Sequence, residues 1–497
     1  MWRDLALSLS LANLCLLRIW ARVVVYGGAD AFHVKCAPSS TAVVAVAANL
    51  VLLWAALWGF LRLLNSRIAW LAFGCKVCVL LAVLMALNSI RAVVAGQFPQ
   101  IRVVTLAGLD SRLQAASAIL LAAGLLVAGP RVRRLGATAL LLLTPMAPML
   151  LVGATAHLIQ RSPALDTAHP LSPRVPGLAS RNRVVWVIFD EWDFRAGFEA
   201  KPRGLRTPNI DRLAKESLFA TQAHSPATDT IRSIPSLLTG ERIAKAEPTG
   251  PADLLLTRFG ASGANRWDAT GTVFARARNS AINTAVAGWY FPYCRILAPA
   301  LTACHWCEMA RPDESCEASR APVGQAMRDQ MRSLFETSRF HFLGRSQRFE
   351  KHVRSYQELS EAGIAFAADP TLGFVFLHLP VPHSPYLRRD PDGTYRQGEY
   401  ADGLALVDET VGRLLGAMAS SGVWPSTHLV LSSDHSLRGA SRPDLRIPFI
   451  LRLAGDSRGV TYRSRFDTVV TGELLLRALR GELASHEAAA GWLDSRR

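Results

Sequence analysis

Five long apolar stretches in the first third of the chain constrain what it can fold into. Most of them approach the roughly 20 residues that an α-helix needs to cross the hydrocarbon core of a bilayer. The stretches lie near residues 5–26, 41–63, 69–90, 114–129 and 136–158. We therefore predict a bundle of about five transmembrane helices over residues 1–160.

Basic residues beside these stretches predict the orientation of the bundle. Arg3 precedes the first span, Arg62 and Arg67 flank the second connection, and three arginines crowd the fourth. Because short cytoplasmic loops are enriched in Lys and Arg, the N-terminus is expected in the cytoplasm. Five crossings would then carry the rest of the chain to the periplasmic or extracellular side of a cell (inner) membrane. These loops account for much of the net charge of +16, so we expect no nucleic-acid partner.

A polar segment with four prolines follows the last span. This composition favours an extended spacer, so residues 161–182 are predicted to be a linker. We predict an extracytoplasmic domain over residues 183–480 and a C-terminal tail over residues 481–497.

Three short apolar runs predict the architecture of the outer domain. They cover residues 184–189, 374–377 and 428–431, and helix-like stretches near 209–219 and 401–418 lie between them. Continuous apolar runs are typical of strands that are buried on both faces of a parallel sheet. The pattern predicts a doubly wound α/β domain with a mostly parallel central sheet, in which ligands bind at the carboxyl ends of the strands.

Carboxylates and imidazoles gather at these strand ends. Asp190 and Glu191 follow the first run, His378 follows the second, and Asp434 and His435 follow the third. Any one of them could be an ordinary polar residue at a strand end. Together they make a mixed oxygen and nitrogen ligand set that suits Zn²⁺ or Mn²⁺ better than Ca²⁺.

A hydroxyl-rich segment, Ser225 to Gly240, leads from a loop into a predicted helix. A hydroxyl at a helix N-terminus gains from the positive end of the dipole, and a divalent cation lowers its pKa further. The segment therefore offers candidate nucleophiles.

Five segments resemble, in order, the signature segments of the sulfatase-like members of the alkaline phosphatase superfamily. The resemblance covers about residues 184–455. The segments are Thr207-Pro-Asn-Ile-Asp-Arg-Leu213, Ser225 to Gly240, His378-Leu-Pro-Val-Pro-His383-Ser-Pro-Tyr386, Ser433-Asp434-His435 and Arg446-Ile-Pro448.

Thr230 stands where sulfatases carry the Cys or Ser that becomes formylglycine. Arg232 replaces the proline of that signature and Ile234 replaces its arginine, so the formylglycine signature is broken. Thr230, Ser233 and Pro235 instead resemble the T-x-x-S-x-P segment of the lipid A phosphoethanolamine transferases. The lipoteichoic acid synthases, with five spans and an outer catalytic domain, are similar in architecture.

The resemblance implies a role for each matching residue. The implied ligands of a divalent metal ion, Zn or Mn, are Asp190, Thr230, Asp434 and His435, with Glu191 as a further candidate. Thr230 would also be the nucleophile, while His383 and His378 would bind phosphoryl oxygens or protonate a leaving group.

The chain departs from the transferases after the Asp-His pair. A longer insertion supplies another histidine in those enzymes, whereas about ten residues separate His435 from Arg446 here. Arg438 or Arg442 could take its place as a phosphate contact, and the alternative is that both are exposed loop arginines.

The eight cysteines fall into two groups and one single residue. Cys15, Cys75 and Cys78 lie in predicted spans and are expected to be buried apolar residues. Four others cluster in the outer domain, where an oxidising compartment favours disulfides over a zinc knuckle built on Cys304 and Cys307. These four are Cys294, Cys304, Cys307 and Cys316. Cys36 has no obvious partner.

The leading hypothesis is a membrane-anchored, metal-dependent transferase. It would take a phosphoethanolamine or phosphoglycerol head group from a membrane phospholipid onto Thr230, then pass it to an envelope glycan or lipid. The first alternative is a sulfatase-like hydrolase of phosphodiesters or sulfate esters. The second is an inactive protein that binds envelope components.

Overall fold

The computed structural model describes most of the chain and folds into two compact units. It describes residues 1–24, 32–36, 38–97, 129–159, 170–176, 182–309, 321–336, 347–438 and 445–496. The first unit lies within Met1–Gly27, Val34–Asp166 and Ala310–Ser346, and the second within Gly28–His33, Thr167–Met309 and Gln347–Arg497.

The strands of the described residues all belong to the second unit. They are β1 (Arg183–Phe189), β2 (Leu218–Ala220), β3 (Ala223–His224), β4 (Ile243–Gly250), β5 (Asp253–Arg258), β6 (Ala264–Arg266), β7 (Thr284–Trp289), β8 (Ala303–Cys307), β9 (Phe374–Leu379), β10 (Leu387–Arg389), β11 (Tyr395–Gln397), β12 (Thr427–Ser433), β13 (Phe449–Arg452), β14 (Val460–Tyr462) and β15 (Phe466–Asp467).

The α-helices divide between the two units. Those of the first unit are α1 (Trp2–Cys15), α2 (Leu17–Val24), α3 (Ser40–Leu63), α4 (Ala69–Gln97), α5 (Pro130–Leu142), α6 (Met146–Ile159) and α11 (Val323–Glu336). Those of the second are α7 (Pro208–Lys215), α8 (Thr230–Thr239), α9 (Val273–Asn279), α10 (Tyr293–Ile296), α12 (Gln347–Ala368), α13 (Tyr400–Ser420), α14 (Thr471–Leu479) and α15 (His486–Asp494).

An eight-stranded, mostly parallel sheet organises the second unit. Its order is β14-β2-β13-β12-β1-β9-β7-β8. The pairs β12-β1, β1-β9, β9-β7, β7-β8 and β14-β2 are parallel, and only the pairs that β13 forms are antiparallel. The predicted α/β domain with a mostly parallel central sheet is therefore confirmed.

Both faces of this sheet are buried, which explains the continuous apolar runs. Along β1, Trp186 and Ile188 pack into a core with residues of α8, α9 and α14. Val187 and Phe189 point the other way, into a second core with residues of α7, α12 and α13. Because side chains alternate along a strand, an apolar residue is needed at every position.

The helix predicted over 209–219 is shorter than expected. It ends at Lys215, because Leu218–Ala220 forms β2 and pairs with β13. Thr207 holds the N-cap position of this helix, and the side-chain amide of Asn209 donates to Asp408 Oδ2 at 3.0 Å.

The first unit contains three described helices that are long and apolar enough to cross a membrane, at Ser40–Leu63, Ala69–Arg91 and Arg134–Ala156. Helices α1 and α2 pass the same test together but meet at 66°, as a broken span or a re-entrant loop. These findings match three of the five predicted spans, and a fourth if α1 and α2 form one span. The predicted span over 114–129 lies mainly outside the described residues, so a bundle of five remains a prediction.

Three segments depart from the predicted domain boundaries. Helix α11 lies inside the predicted outer domain but belongs to the first unit, where Gln330 exchanges hydrogen bonds with Asn49 and with the Ala42 carbonyl of α3. Residues 481–497 do not form a tail, because α15 packs Leu493 into the core. Of the predicted linker, residues 170–176 run along the second unit and bond to Leu301 and Asn283.

The structure corrects part of the cysteine interpretation. Cys294 and Cys304 form the expected kind of disulfide. Cys307 is a buried thiol rather than a disulfide partner, and Cys36, for which no partner was expected, is disulfide-bonded. Cys316 lies outside the described residues.

Arg183, at the start of β1, ties the central strand to the turn before β9. Its buried guanidinium donates to the carbonyls of Ala367, Asp369 and Leu372 at 2.6 to 3.2 Å. Burial lowers the pKa of Arg183 to about 10, while nearby Asp369 acts to raise it. The side chain stays charged, and it satisfies three carbonyl groups at once.

We predict that Arg183→Met lowers the free energy of unfolding by about 3 kcal/mol, because it removes charge-assisted hydrogen bonds from buried carbonyls. Thermal unfolding of the full chain in detergent measures this loss. The control is Arg389→Met, whose guanidinium pairs with Glu409 on the exposed surface and should contribute about 0.5 kcal/mol or less. Equal effects of the two substitutions would contradict the assigned role of Arg183.

Candidate active site

The two central strands deliver two carboxylates to one point. Phe189 of β1 pairs in register with Ser433 of β12, so Asp190 and Asp434 leave the sheet side by side at its carboxyl edge. Both are fully buried, as is the adjoining His435. Ligand atoms of the three side chains all lie within 4.8 Å of one another, which makes them a candidate metal centre.

Helix α8 brings Thr230 to this centre. Asp229 caps the helix by accepting a hydrogen bond from the Arg232 amide at 3.2 Å, and Thr230 becomes its first residue. The Thr230 hydroxyl is buried, 3.2 Å from His435 Nε2 and 3.4 Å from Asp190 Oδ2. The helix dipole favours a negatively charged oxygen at this position.

Unsatisfied polar atoms show that these residues suit a cation. Asp190 Oδ1 and Asp434 Oδ2 are buried without a hydrogen-bond partner among the described residues, and His435 Nε2 lies 3.9 Å and 3.4 Å from them. Buried carboxylate oxygens are costly unless they are paired, hydrogen-bonded or bound to a metal. The donor set of two carboxylates, one imidazole and one hydroxyl therefore fits a divalent metal ion.

The electrostatic surroundings keep Asp190 ionised. Burial would raise the pKa of its carboxyl, but three neighbouring imidazoles, with that of His383 contributing most, hold the pKa well below its ordinary value. The carboxylate is thus available as a ligand across the physiological pH range.

His378 faces the centre from the next strand. Its Nε2 lies 3.7 Å from Asp190 Oδ2 and has no hydrogen-bond partner, while Tyr293 Oη lies 2.9 Å from its Nδ1. Gly288 of β7 sits opposite His378, and a Cβ at Gly288 would come within 2.4 Å of the Tyr293 ring. Because Gly288 has no side chain, the Tyr293 ring fits beside it, and its hydroxyl can orient the His378 imidazole.

Glu191, Arg438 and His383 form a second polar group beside the centre. Arg438 Nε donates to Glu191 Oε1 at 2.7 Å, and an Arg438 terminal nitrogen lies 3.2 Å from His383 Nε2. The Arg438 side chain remains half-exposed, so it can meet an incoming anion. Glu191 adopts a left-handed backbone conformation (φ 64°), and the Tyr400 hydroxyl donates to its carbonyl at 2.6 Å.

The structure thus assembles most of the predicted residues at one edge of the sheet. Glu191 lies beside the centre but pairs with Arg438, and it is not among the three grouped ligands. Arg442 lies outside the described residues. The residues assembled around the centre are Asp190, Thr230, His378, His383, Asp434, His435 and Arg438.

The sequence interpretation did not include two contributors to this site. The Trp289 ring packs edge-on against the His383 ring with centroids 5.1 Å apart, and Trp289 is the last residue of β7, at the carboxyl end of that strand. His352 of α12 is buried, and its ring contacts those of Trp289 and His383. Burial lowers the pKa of His352 to about 3, so it is neutral. No motif marks His352, whereas the strand-end rule could have found Trp289.

Several solved structures of low identity match part of the chain. A sulfatase from Pseudoalteromonas sp. is 17% identical, with 60% of this chain and 67% of that one covered and a TM-score of 0.43. An alkaline phosphatase superfamily protein from Vibrio parahaemolyticus is 14% identical, with 62% of this chain and 67% of that one covered and a TM-score of 0.40. The phosphonate monoester hydrolase of Agrobacterium radiobacter is 14% identical, with 60% of this chain and 74% of that one covered and a TM-score of 0.39.

No curated protein matches the chain. One family model does, that of type I phosphodiesterase / nucleotide pyrophosphatase, over residues 197–475. The matched range includes Thr230, His378, His383, Asp434 and His435. Because this range is more than half of the 497 residues, the chain belongs to the type I phosphodiesterase / nucleotide pyrophosphatase family and is an enzyme of the alkaline phosphatase superfamily, as its motifs predicted.

Proposed function

We propose that the protein transfers a phosphoryl-linked head group, phosphoethanolamine or phosphoglycerol, from a membrane phospholipid to an envelope glycan or lipid. One observation carries this proposal: the Thr230 hydroxyl lies within 3.4 Å of both Asp190 and His435, inside a cluster with unsatisfied carboxylate oxygens. A hydroxyl in this position is a nucleophile rather than a structural residue.

The identity of the nucleophile favours phosphorus over sulfur. Threonine has a methyl group on Cβ, so it cannot become the formylglycine that sulfatases use. An ordinary alkoxide attacking a phosphodiester is the chemistry that remains, and it gives a threonine phosphodiester. Sulfate esters are therefore the weaker candidates for the substrate.

The first half of the reaction forms one bond to phosphorus and breaks another. Thr230 Oγ1 attacks the phosphorus, and the bond to the diacylglycerol oxygen breaks. A divalent ion held by Asp190, Asp434, His435 and Thr230, Zn or Mn in our proposal, would polarise the phosphoryl group and stabilise the threonine alkoxide. The Thr230 hydroxyl donates to Asp190 Oδ2 at 3.4 Å, and its proton would pass to solvent when the ion binds and the alkoxide forms.

Imidazole and guanidinium groups serve the phosphate and the leaving group. His378 Nε2 is buried without a partner and faces the centre, so it can donate to a phosphoryl oxygen. His383, next to half-exposed Arg438, lies where a proton can be given to the departing diacylglycerol oxygen. In the second half, the same histidine would take a proton from the acceptor hydroxyl that attacks the threonine phosphodiester.

Two features support a site at the outer face of a cell membrane. Within the described residues, the first unit holds three helices that are long and apolar enough to cross a bilayer, or four if α1 and α2 form one span. These helices would anchor the chain in the membrane that supplies a phospholipid donor. The Cys294–Cys304 disulfide fits an oxidising compartment such as the periplasm. We propose an inner-membrane protein whose catalytic domain is periplasmic.

A hydrolase is the second candidate. The matching family model is named for phosphodiesterases and pyrophosphatases, in which water is the acceptor. The same nucleophile and the same ligands serve both reactions, and only the second acceptor differs. The two candidates are therefore separated by the product.

We predict that the full chain, reconstituted in vesicles with head-group-labelled phosphatidylethanolamine and phosphatidylglycerol, releases diacylglycerol. In a transferase, added envelope glycan or lipid acceptor accelerates this release and takes up the label. If the label appears only as free phosphoethanolamine or glycerophosphate, at a rate that no acceptor changes, the enzyme is a hydrolase.

We predict that Thr230→Ala lowers kcat on bis-p-nitrophenyl phosphate by at least about 10³-fold, since the attacking oxygen is removed. Thr230→Ser keeps a hydroxyl and should retain activity within about 10² of the unchanged enzyme. Thr239→Ala, at the other end of α8, is the matched control and should leave kcat unchanged. Full activity of the Thr230→Ala variant would exclude Thr230 as the nucleophile.

Removing a buried carboxylate should remove the metal. We expect Asp434→Asn to lose one equivalent of metal per chain relative to the unchanged protein, together with its activity, since a neutral amide is a weak ligand. Asp369→Asn, at a partly exposed carboxylate outside the proposed metal centre, is the control. Metal analysis by mass spectrometry measures both. An unchanged metal content in Asp434→Asn would contradict the assigned metal centre.

A further inference from the structure

Three metal-ligating side chains converge away from the active site, on the edge strand of the large sheet. His305 and Cys307 lie two residues apart on β8, so they project from the same face of the strand. Glu358 reaches them from α12, which packs against that face. None of the three takes part in the chemistry derived above.

The separations between their ligand atoms fit a single small ion. Cys307 Sγ lies 3.5 Å from Glu358 Oε2 and 4.0 Å from His305 Nε2, and the last two atoms are 3.8 Å apart. The point equidistant from the three atoms lies about 2.2 Å from each, within the range of Zn–N and Zn–S bonds of about 2.0 to 2.3 Å. We propose that His305, Cys307 and Glu358 bind a second metal ion, Zn²⁺ by the chemistry of its ligands.

The donor set selects the class of ion. A thiolate with an imidazole and a carboxylate suits Zn²⁺, whereas Mg²⁺ and Ca²⁺ require oxygen ligands. Binding replaces the thiol proton of Cys307, which is released to solvent, and no oxidation or reduction is involved. Cys307 is buried, His305 is partly exposed and Glu358 is exposed.

Strand alternation explains why Cys307 keeps its thiol for this role. Cys304 and Trp306 pack into the core on one side of the sheet, where Cys304 is bonded to Cys294. Ala303 and Cys307 face the core on the opposite side. The disulfide and the proposed metal site therefore occupy different faces of the same strand.

The proposed site joins two places where the chain leaves and re-enters the second unit. Strand β8 ends at Cys307, the second unit breaks off after Met309, and it resumes at Gln347 with α12. The partly buried ion pair of Lys351 and Glu308 links α12 to the residue that follows β8, at 3.7 Å. A metal bound here would brace β8 against α12 in the same manner.

Cobalt spectroscopy tests this site without interference from the active site. The described residues of the active site include no cysteine, so a thiolate-to-cobalt charge-transfer band in the near ultraviolet reports on a thiol ligand elsewhere. We predict that Co²⁺ added to the full chain in detergent produces this band and that Zn²⁺ abolishes it. Cys307→Ser should lack the band, whereas Cys78→Ser, which removes a thiol of α4, should keep it.

Two further variants guard against misfolding as the cause of a lost band. His305→Gln and Glu358→Gln change residues that are more exposed than Cys307, and both variants retain the Cys307 thiol. Each should weaken Co²⁺ binding at least about tenfold. Cooperative thermal unfolding without metal verifies that each variant is folded. Absence of the band from the unchanged chain, its survival in Cys307→Ser, or unaltered affinity in both glutamine variants would overturn the proposal.

Discussion

Two carboxylates buried side by side are the constraint on which the rest of this structure depends. Asp190 and Asp434 leave neighbouring parallel strands at the same level, and each keeps an oxygen without a hydrogen-bond partner. Burying two such charges together is strongly unfavourable unless a cation compensates them. The sheet register, which other contacts such as those of Arg183 support, creates this need, and a divalent ion satisfies it.

The surrounding elements follow from that electrostatic demand. Helix α8 points its N-terminus at the carboxylates, and its first residue places a hydroxyl between Asp190 and His435. Imidazoles of His378 and His383 line the other side, where negative charge on a phosphoryl group would develop. A phosphodiester is an anion with a tetrahedral phosphorus. It would meet the metal ion held by the carboxylates on one side and the imidazoles on the other.

The sequence predicted the parts of this architecture that depend on strand periodicity. The runs that became β1, β9 and β12 are buried on both faces, so their composition is unmistakable, and the residues that follow them reach one edge. Contacts between distant elements were beyond such reasoning. Tyr293 and His352 reach the site from helices that carry no motif. Whether Cys307 keeps its thiol likewise depends on the face of β8 on which it lies.

Mass spectrometry of the peptide that carries Thr230 tests the central claim most directly. The full chain would be incubated with phosphatidylethanolamine or phosphatidylglycerol vesicles, quenched in acid and digested. We predict a phosphoethanolamine or phosphoglycerol adduct on Thr230 that a Thr230→Ala chain lacks. Diacylglycerol release with the adduct on another residue, or release that persists in the Thr230→Ala chain, would contradict the role of Thr230 as the nucleophile.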